Sequence, residues 1–200
     1  AIYDYAVNNK LIRPQHDFEQ DIVAYAKNIS NRYQGSKKRG DALEKLALSI
    51  FDATKKLHGL GKRERMYLGI AALLQDCGRY VSLTQVGDCS YNIVMNTEII
   101  GLSHAEREVV ANIVRFNHEK FRYYEEIAGT STIDKKDFMI IAKLTAILRL
   151  ACALDSSHKQ KFTNVKIALD EGELILRVDT DLNIEREKGL FEDKAKFFDS

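Results

Sequence analysis

The stretch Asp134-Lys135-Lys136-Asp137-Phe138-Met139-Ile140-Ile141-Ala142-Lys143-Leu144-Thr145-Ala146-Ile147-Leu148-Arg149-Leu150-Ala151-Cys152-Ala153-Leu154 decides the reading of the fold. Ile140, Ile141, Leu144, Ile147, Leu148, Ala151 and Leu154 recur at helical spacing, so one face of a long helix is apolar. Asp134 precedes the stripe as its N-cap. The most apolar part, Leu144 to Leu150, includes Thr145 and Arg149 and falls far short of the ~20 residues that a membrane span requires. The stripe therefore predicts a long core helix.

Working upstream, proline occurs once, at Pro14, and nothing interrupts a series of similar stripes. Ile22, Ala26, Ile29 and Tyr33 form one, ending at Gly35. Asp41 and Glu44 resemble a capping pair before Leu43, Leu46, Ala47, Ile50 and Leu57, with Gly59 and Gly61 as the stop. Met66, Ile70, Leu73, Leu74 and Cys77 make a third stripe up to Gly78, and Ser103 with Glu106 opens a fourth from Val109 to Phe116. Downstream of Ser157 the period changes. Phe162, Val165, Ile167 and Leu169, then Leu174, Leu176 and Val178, alternate with polar residues around Asp170-Glu171-Gly172, which predicts a β-hairpin. Leu190, Phe191, Ala195, Phe197 and Phe198 predict a closing helix. The expected architecture is mainly α: a bundle of six or seven helices over residues 16–157, then a small hairpin-plus-helix unit over 158–200.

The composition is that of a globular chain, 45% hydrophobic and 30% charged over 200 residues, which excludes disordered and fibrous classes. Cys77, Cys89 and Cys152 are odd in number and in no CxxC spacing, which predicts free thiols in a reducing cytoplasm. A net charge of +1 supplies no global field for nucleic acid, and no nucleic-acid partner is expected. The distribution is uneven, however. Lys27 to Arg39 holds Lys27, Arg32, Lys37, Lys38 and Arg39 without an acid, read either as a solvated helix end or as a phosphate-binding patch.

Walker, GxGxxG, GxSxG and HExxH signatures are missing. Five histidines remain. His16-Asp17 is an adjacent pair at an expected helix start, where Asp17 reads as a charge favoured by the helix dipole. His58 and His104 read as surface residues. His118 and His158 have no second ligand at i+3 or i+4, so each alone is a weak metal signal.

The run Tyr91-Asn92-Ile93-Val94-Met95-Asn96-Thr97-Glu98-Ile99-Ile100-Gly101-Leu102-Ser103-His104 resembles the C-terminal helical domain of the exopolyphosphatase / guanosine pentaphosphate phosphatase family. Leu48-Ser49-Ile50-Phe51-Asp52, Gln75-Asp76-Cys77-Gly78, Leu144 to Asp155 and Phe191 to Phe198 support the likeness in order. The resemblance implies that residues 1–15 are the tail of a preceding actin-like lobe. It places catalysis, with Mg²⁺, in two such N-terminal lobes of the same chain, so that residues 1–200 alone are expected to be inactive and to hold no cofactor.

The family's helical part in turn resembles metal-dependent HD phosphohydrolases. By that likeness, Arg39 stands where many members place a histidine, and Gln75-Asp76 where they place a His-Asp pair. Val86 and Cys89 lie near further histidines, and Cys152 replaces an aspartate. Only Asp76 matches, so the implied metal site is degenerate, with Arg39 able to supply the lost ion's charge. Arg149 lies beside this site and is a candidate partner for Asp76. The resemblance further implies polyphosphate, or another polyanion, along a cationic face. Lys37, Lys38, Arg39, Arg115, His118, Lys120 and Arg122 are the candidates, because a polyanion needs several separated cations. The Phe191, Phe197 and Phe198 face needs burial, and with the family's habit this predicts a homodimer. Two rival readings stay open: an autonomous metal-dependent phosphohydrolase acting through His16-Asp17 or His118, and an interaction module without anion binding. Stoichiometric Mn, Fe, Ni or Zn in purified protein would favour the first.

Overall fold

A computed structural model describes residues 18–33, 35–127, 133–162, 165–170, 173–178 and 180–198. The helices are α1 (Phe18–Arg32), α2 (Lys37–Ala53), α3 (Lys55–His58), α4 (Lys62–Leu74), α5 (Val86–Asn96), α6 (His104–His118), α7 (Tyr124–Ile127) and α8 (Lys135–Leu154). A 3₁₀ turn, Cys77–Tyr80, follows α4. Strands β1 (Val165–Asp170) and β2 (Glu173–Val178) form one antiparallel pair, and α9 (Glu185–Phe198) closes the described chain.

The stripe read first is the core. On α8, Ile141, Leu144, Ile147, Leu148 and Leu150 are fully enclosed, and the helix packs against α2, α4, α6 and α9. Each such aliphatic side chain contributes about 1.5–3 kcal/mol by leaving water. Asp134 caps α8 as expected, its carboxylate accepting from the Asp137 N–H at 2.8 Å. Helix α4 is buried on every side from Met66 to Leu74, so it is the bundle's inner rod. Gly78 sits where α5 crosses the 3₁₀ turn; a Cβ there would lie 2.3 Å from the Val86 carbonyl oxygen and 2.5 Å from the Ser90 nitrogen. No helix of the described residues is long and apolar enough to cross a membrane.

Several boundaries differ from the sequence reading. Helix α2 starts at Lys37 under a Ser36 cap, because that hydroxyl accepts from the Arg39 N–H. Asp41 and Glu44 therefore lie inside the helix, where both meet Lys27 of α1, at 2.9 and 3.2 Å. Helix α5 was not foreseen, since its apolar residues form no long stripe. His58 is buried, not a surface residue. Its Nε2 meets the Phe51 carbonyl at 2.9 Å while Nδ1 accepts from the Leu60 N–H, and its ring packs on Phe51. Burial lowers its pKa, so it is a neutral joint behind the left-handed Gly59 (φ 67°). His16, Asp17 and the hairpin's Glu171-Gly172 lie outside the described residues.

The hairpin forms where expected, and its register runs from Val165 opposite Val178 through Asp170 opposite Glu173. Val165, Ile167, Leu174, Leu176, Phe191 and Ala195 are half-buried against the same core as the helices, with β1 against α2 and α9 along α8. Phe191 and Phe197 of the terminal aromatic face thus have partners within the chain, while the Phe198 side chain lies outside the described residues. Phe197 stacks on Phe121 and lies under the Arg149 guanidinium, and Phe191 packs on the core.

Candidate functional site

The first turn of α2, the α4–3₁₀ junction and the C-terminal ends of α6 and α8 converge on Arg39. Its Nη1 pairs with Asp76, and its Nε donates to Asp155 Oδ2 at 3.0 Å. Asp155 is 1% exposed and Arg39 12%. Asp155 is also held by Gln160, whose backbone N–H donates to Oδ1 at 2.8 Å. Arg79, one turn after Asp76, donates to its other oxygen at 2.7 Å. Two guanidinium groups therefore enclose one carboxylate, and a second carboxylate sits beneath. A buried cation of this kind holds its place only when paired and hydrogen-bonded.

Around this pair the remaining donors are engaged. The Asn117 amide donates to Gln75 Oε1 at 3.1 Å and to Cys152 Sγ at 3.5 Å. His118 Nε2 lies 2.6 Å from the Gln75 carbonyl oxygen and 3.8 Å from Asp76. Burial, the first cause, and the positive charge of Arg79 and Arg39 lower the His118 pKa. Burial pushes the Cys152 thiol up to about 11, so it is a protonated small side chain and not a thiolate ligand. Val86 and Cys89 stand on the first turn of α5, and no hydrogen bond or ion pair joins them to Arg39 or Asp76 among the described residues.

These residues do not fit a divalent ion. The Asp76 and Asp155 oxygens already face guanidinium nitrogens, Gln75 contributes an amide, and His118 faces a carbonyl. Among the described residues no three His, Cys, Asp or Glu side chains group so as to hold a metal. A cavity of about 290 Å³ opens beside the pair, lined by Tyr33, Ser36, Tyr80 and His158. His158 and Gln160 both have positive φ, 57° and 45°, which places the loop after α8 under local strain next to Asp155.

The cationic candidates separate sharply. Lys37 and Lys38 are exposed on the first turn of α2, which contains no acid, so they add to the positive end of the helix. Lys120 and Arg122 are exposed, without an ion pair among the described residues. Arg39 is not a surface cation but the buried partner of two carboxylates. Arg115 is likewise taken: Asp88 meets it at 2.6 Å, Glu119 at 3.1 Å, and it lies over the Tyr91 ring. His118 is a neutral joint between α6 and the α4 end, for the reasons given above. Arg149 does not pair with Asp76. It donates to the Phe116 and Glu119 carbonyls, because its place on α8 faces the C-terminal end of α6.

Asp155, Asn117 and Gln160 escaped the sequence reading as site residues. Asp155 follows the last apolar residue of α8 and looked like a helix end. The signal that could have found it is an acid at the close of a long core helix, far from solvent-facing positions.

The family model described as Ppx/GppA phosphatase, domain III, matches residues 24–195. No curated protein matches the chain.

Proposed function

Because the chain belongs to the Ppx/GppA phosphatase family, as its domain III, we propose that it is an accessory domain that holds polyphosphate and dimerises. On this reading hydrolysis takes place elsewhere in the protein, on actin-like lobes that bind Mg²⁺, and these 200 residues are inactive alone. A cytoplasmic setting accords with three free cysteines.

The observation that carries the binding role is the exposed, unneutralised set Lys37, Lys38, Lys120 and Arg122, left after Arg39, Arg115 and His118 are withdrawn into the fold. A polyanion gains from such cations by releasing its counterions, so affinity falls steeply as salt rises. The buried Arg39 pair has the complementary role of holding the first turn of α2, and with it Lys37 and Lys38, against α4 and α8.

Titration of labelled long-chain polyphosphate at low and moderate salt tests this. The expected result is salt-dependent binding that Lys37→Ala with Lys38→Ala weakens, while circular dichroism is unchanged, since exposed charges usually contribute within about 0.5 kcal/mol to folding. Pyrophosphate, spanning fewer cations, should bind far less well. Salt-insensitive binding, or an unaffected double variant, would remove these cations from the function. Arg39 is left intact in the test because its loss would disturb the fold.

A further inference from the structure

We infer that the cavity between the C-terminal end of α6, the middle of α8 and α9 is a binding site for an organic anion with an apolar body, of the fatty-carboxylate class. Its volume of about 890 Å³ falls in the range of small-molecule sites. The floor is apolar: Phe121, Phe138, Ala142 and Ala146, with Phe197 closing one end. The rings are already ordered against one another, with Phe121 5.6 Å from Phe138 and 5.2 Å from Phe197. Met139, 51% exposed, and Tyr123, 69% exposed, stand at its mouth.

Charge identifies the occupant. Lys120, Lys143, Lys194 and Arg149 line the cavity, and Glu119 is the single carboxylate of its lining, with Asp193 3.8 Å from Lys194 beside it. Glu119 is turned to Arg115. Lys143 donates to the His58 carbonyl at 2.8 Å, which leaves its charge without an acid among the described residues. Arg149 is the decisive group. Its Nε and Nη2 reach only backbone carbonyls, its face lies 4.6 Å from the Phe197 ring centre, and no carboxylate meets it among the described residues. Burial alone lowers its pKa. A half-buried guanidinium beside an apolar floor calls for an anion that brings hydrocarbon with it. Polyphosphate has no apolar part to cover Phe121, Phe138 and Met139, and a neutral lipid leaves the cations unpaired. The inference shares only Lys120 with the polyanion reading and does not rest on it.

Decanoate is the probe, titrated into the full 200-residue chain by calorimetry and by displacement of an anilinonaphthalene sulfonate dye, with decanol as the uncharged control. Decanoate is expected to saturate a single site, with decanol weaker by about tenfold or more, a difference of about 1.4 kcal/mol. Ala142→Trp, which fills the floor, should abolish binding. Lys120→Glu with Lys194→Glu, both at the rim, should weaken decanoate about tenfold and leave decanol unchanged. Lys37→Ala with Lys38→Ala should have no effect, which separates this site from the polyphosphate face. Absence of decanoate binding overturns the proposal, as does equal affinity for decanol. So does indifference of decanoate to the rim charge reversals, and those surface variants keep the test valid if Ala142→Trp fails to fold.

Discussion

Arg39 shows how one side chain changes the meaning of a site. Its guanidinium lies between Asp76 and Asp155, and Arg79 and Gln160 complete the bonding of those carboxylates. Removing one member of a buried pair leaves the other charge unpaired, which typically costs about 3–5 kcal/mol. Arg39→Met should therefore lower the unfolding free energy, read from urea denaturation, by an amount in that range, whereas Lys38→Met at the preceding position should barely move it. Equal, small effects would mean that the pair contributes nothing net. The sequence named Arg39 and Asp76 through their place in a likeness to HD enzymes, whereas Asp155 stands out only as an acid at the close of a long core helix. Its role depends on α8 ending beside the first turn of α2, a contact between residues more than a hundred positions apart.

At the scale of elements, the joint between α4 and α6 is the clearest. Ser103 and Glu106 form the reciprocal box read from the sequence, with the Ser103 N–H donating to Glu106 Oε2 at 2.7 Å. The fold adds Arg63 and Tyr67 from α4, donating to Oε1 at 2.7 and 2.6 Å. The Arg63 hydrogen bond, ahead of those from Tyr67 and Ser103, holds the Glu106 carboxyl down to about 2, from 4.5. A depressed carboxylate stabilises the folded state fully above its unfolded value, and that stability is lost as pH falls from about 4.5 towards 2. Glu106→Gln should lower the Tm at neutral pH and flatten the acid limb of the Tm–pH curve in that window. Acid limbs that run parallel in the two proteins would show that Glu106 titrates without such a link.

For the whole molecule, the question is what ties the hairpin and α9 to the bundle. Beyond apolar contact, Lys161 meets Glu187 at 3.0 Å and donates to the Asn183 carbonyl at 2.6 Å, while Glu187 is 0% exposed. Lys161→Met would leave that carboxylate enclosed without its cation, at about 3–5 kcal/mol. Hydrogen exchange should then rise across α9 and the hairpin while the α4 and α8 amides stay protected, because local opening follows the weakest contacts. Unchanged protection in α9 would show that Phe191, Ala195 and Phe197 suffice to dock it.

Apolar period and cap chemistry are local, so the sequence alone determined the helical class, the α8 and α6 starts, the hairpin and the closing helix. Its order of motifs also marked the family. It placed α2 late and missed α5, since Ser36 and the short Val86–Asn96 segment leave weak periodic signals. Some charge partners are local, as Glu119 is to Arg115, but those that decide the site are not. Which of Lys37, Lys38, Arg39, Arg115, His118, Lys120 and Arg122 stay free was decided only when the end of α4, α5 and the end of α8 brought Asp76, Asp88 and Asp155 to α2 and α6. An ion pair forms only where the fold brings the two charges within a few ångströms, and what it contributes depends on burial at each end. The tertiary structure thus turned a row of seven candidate cations into two populations, one engaged by partners within the architecture and one facing solvent.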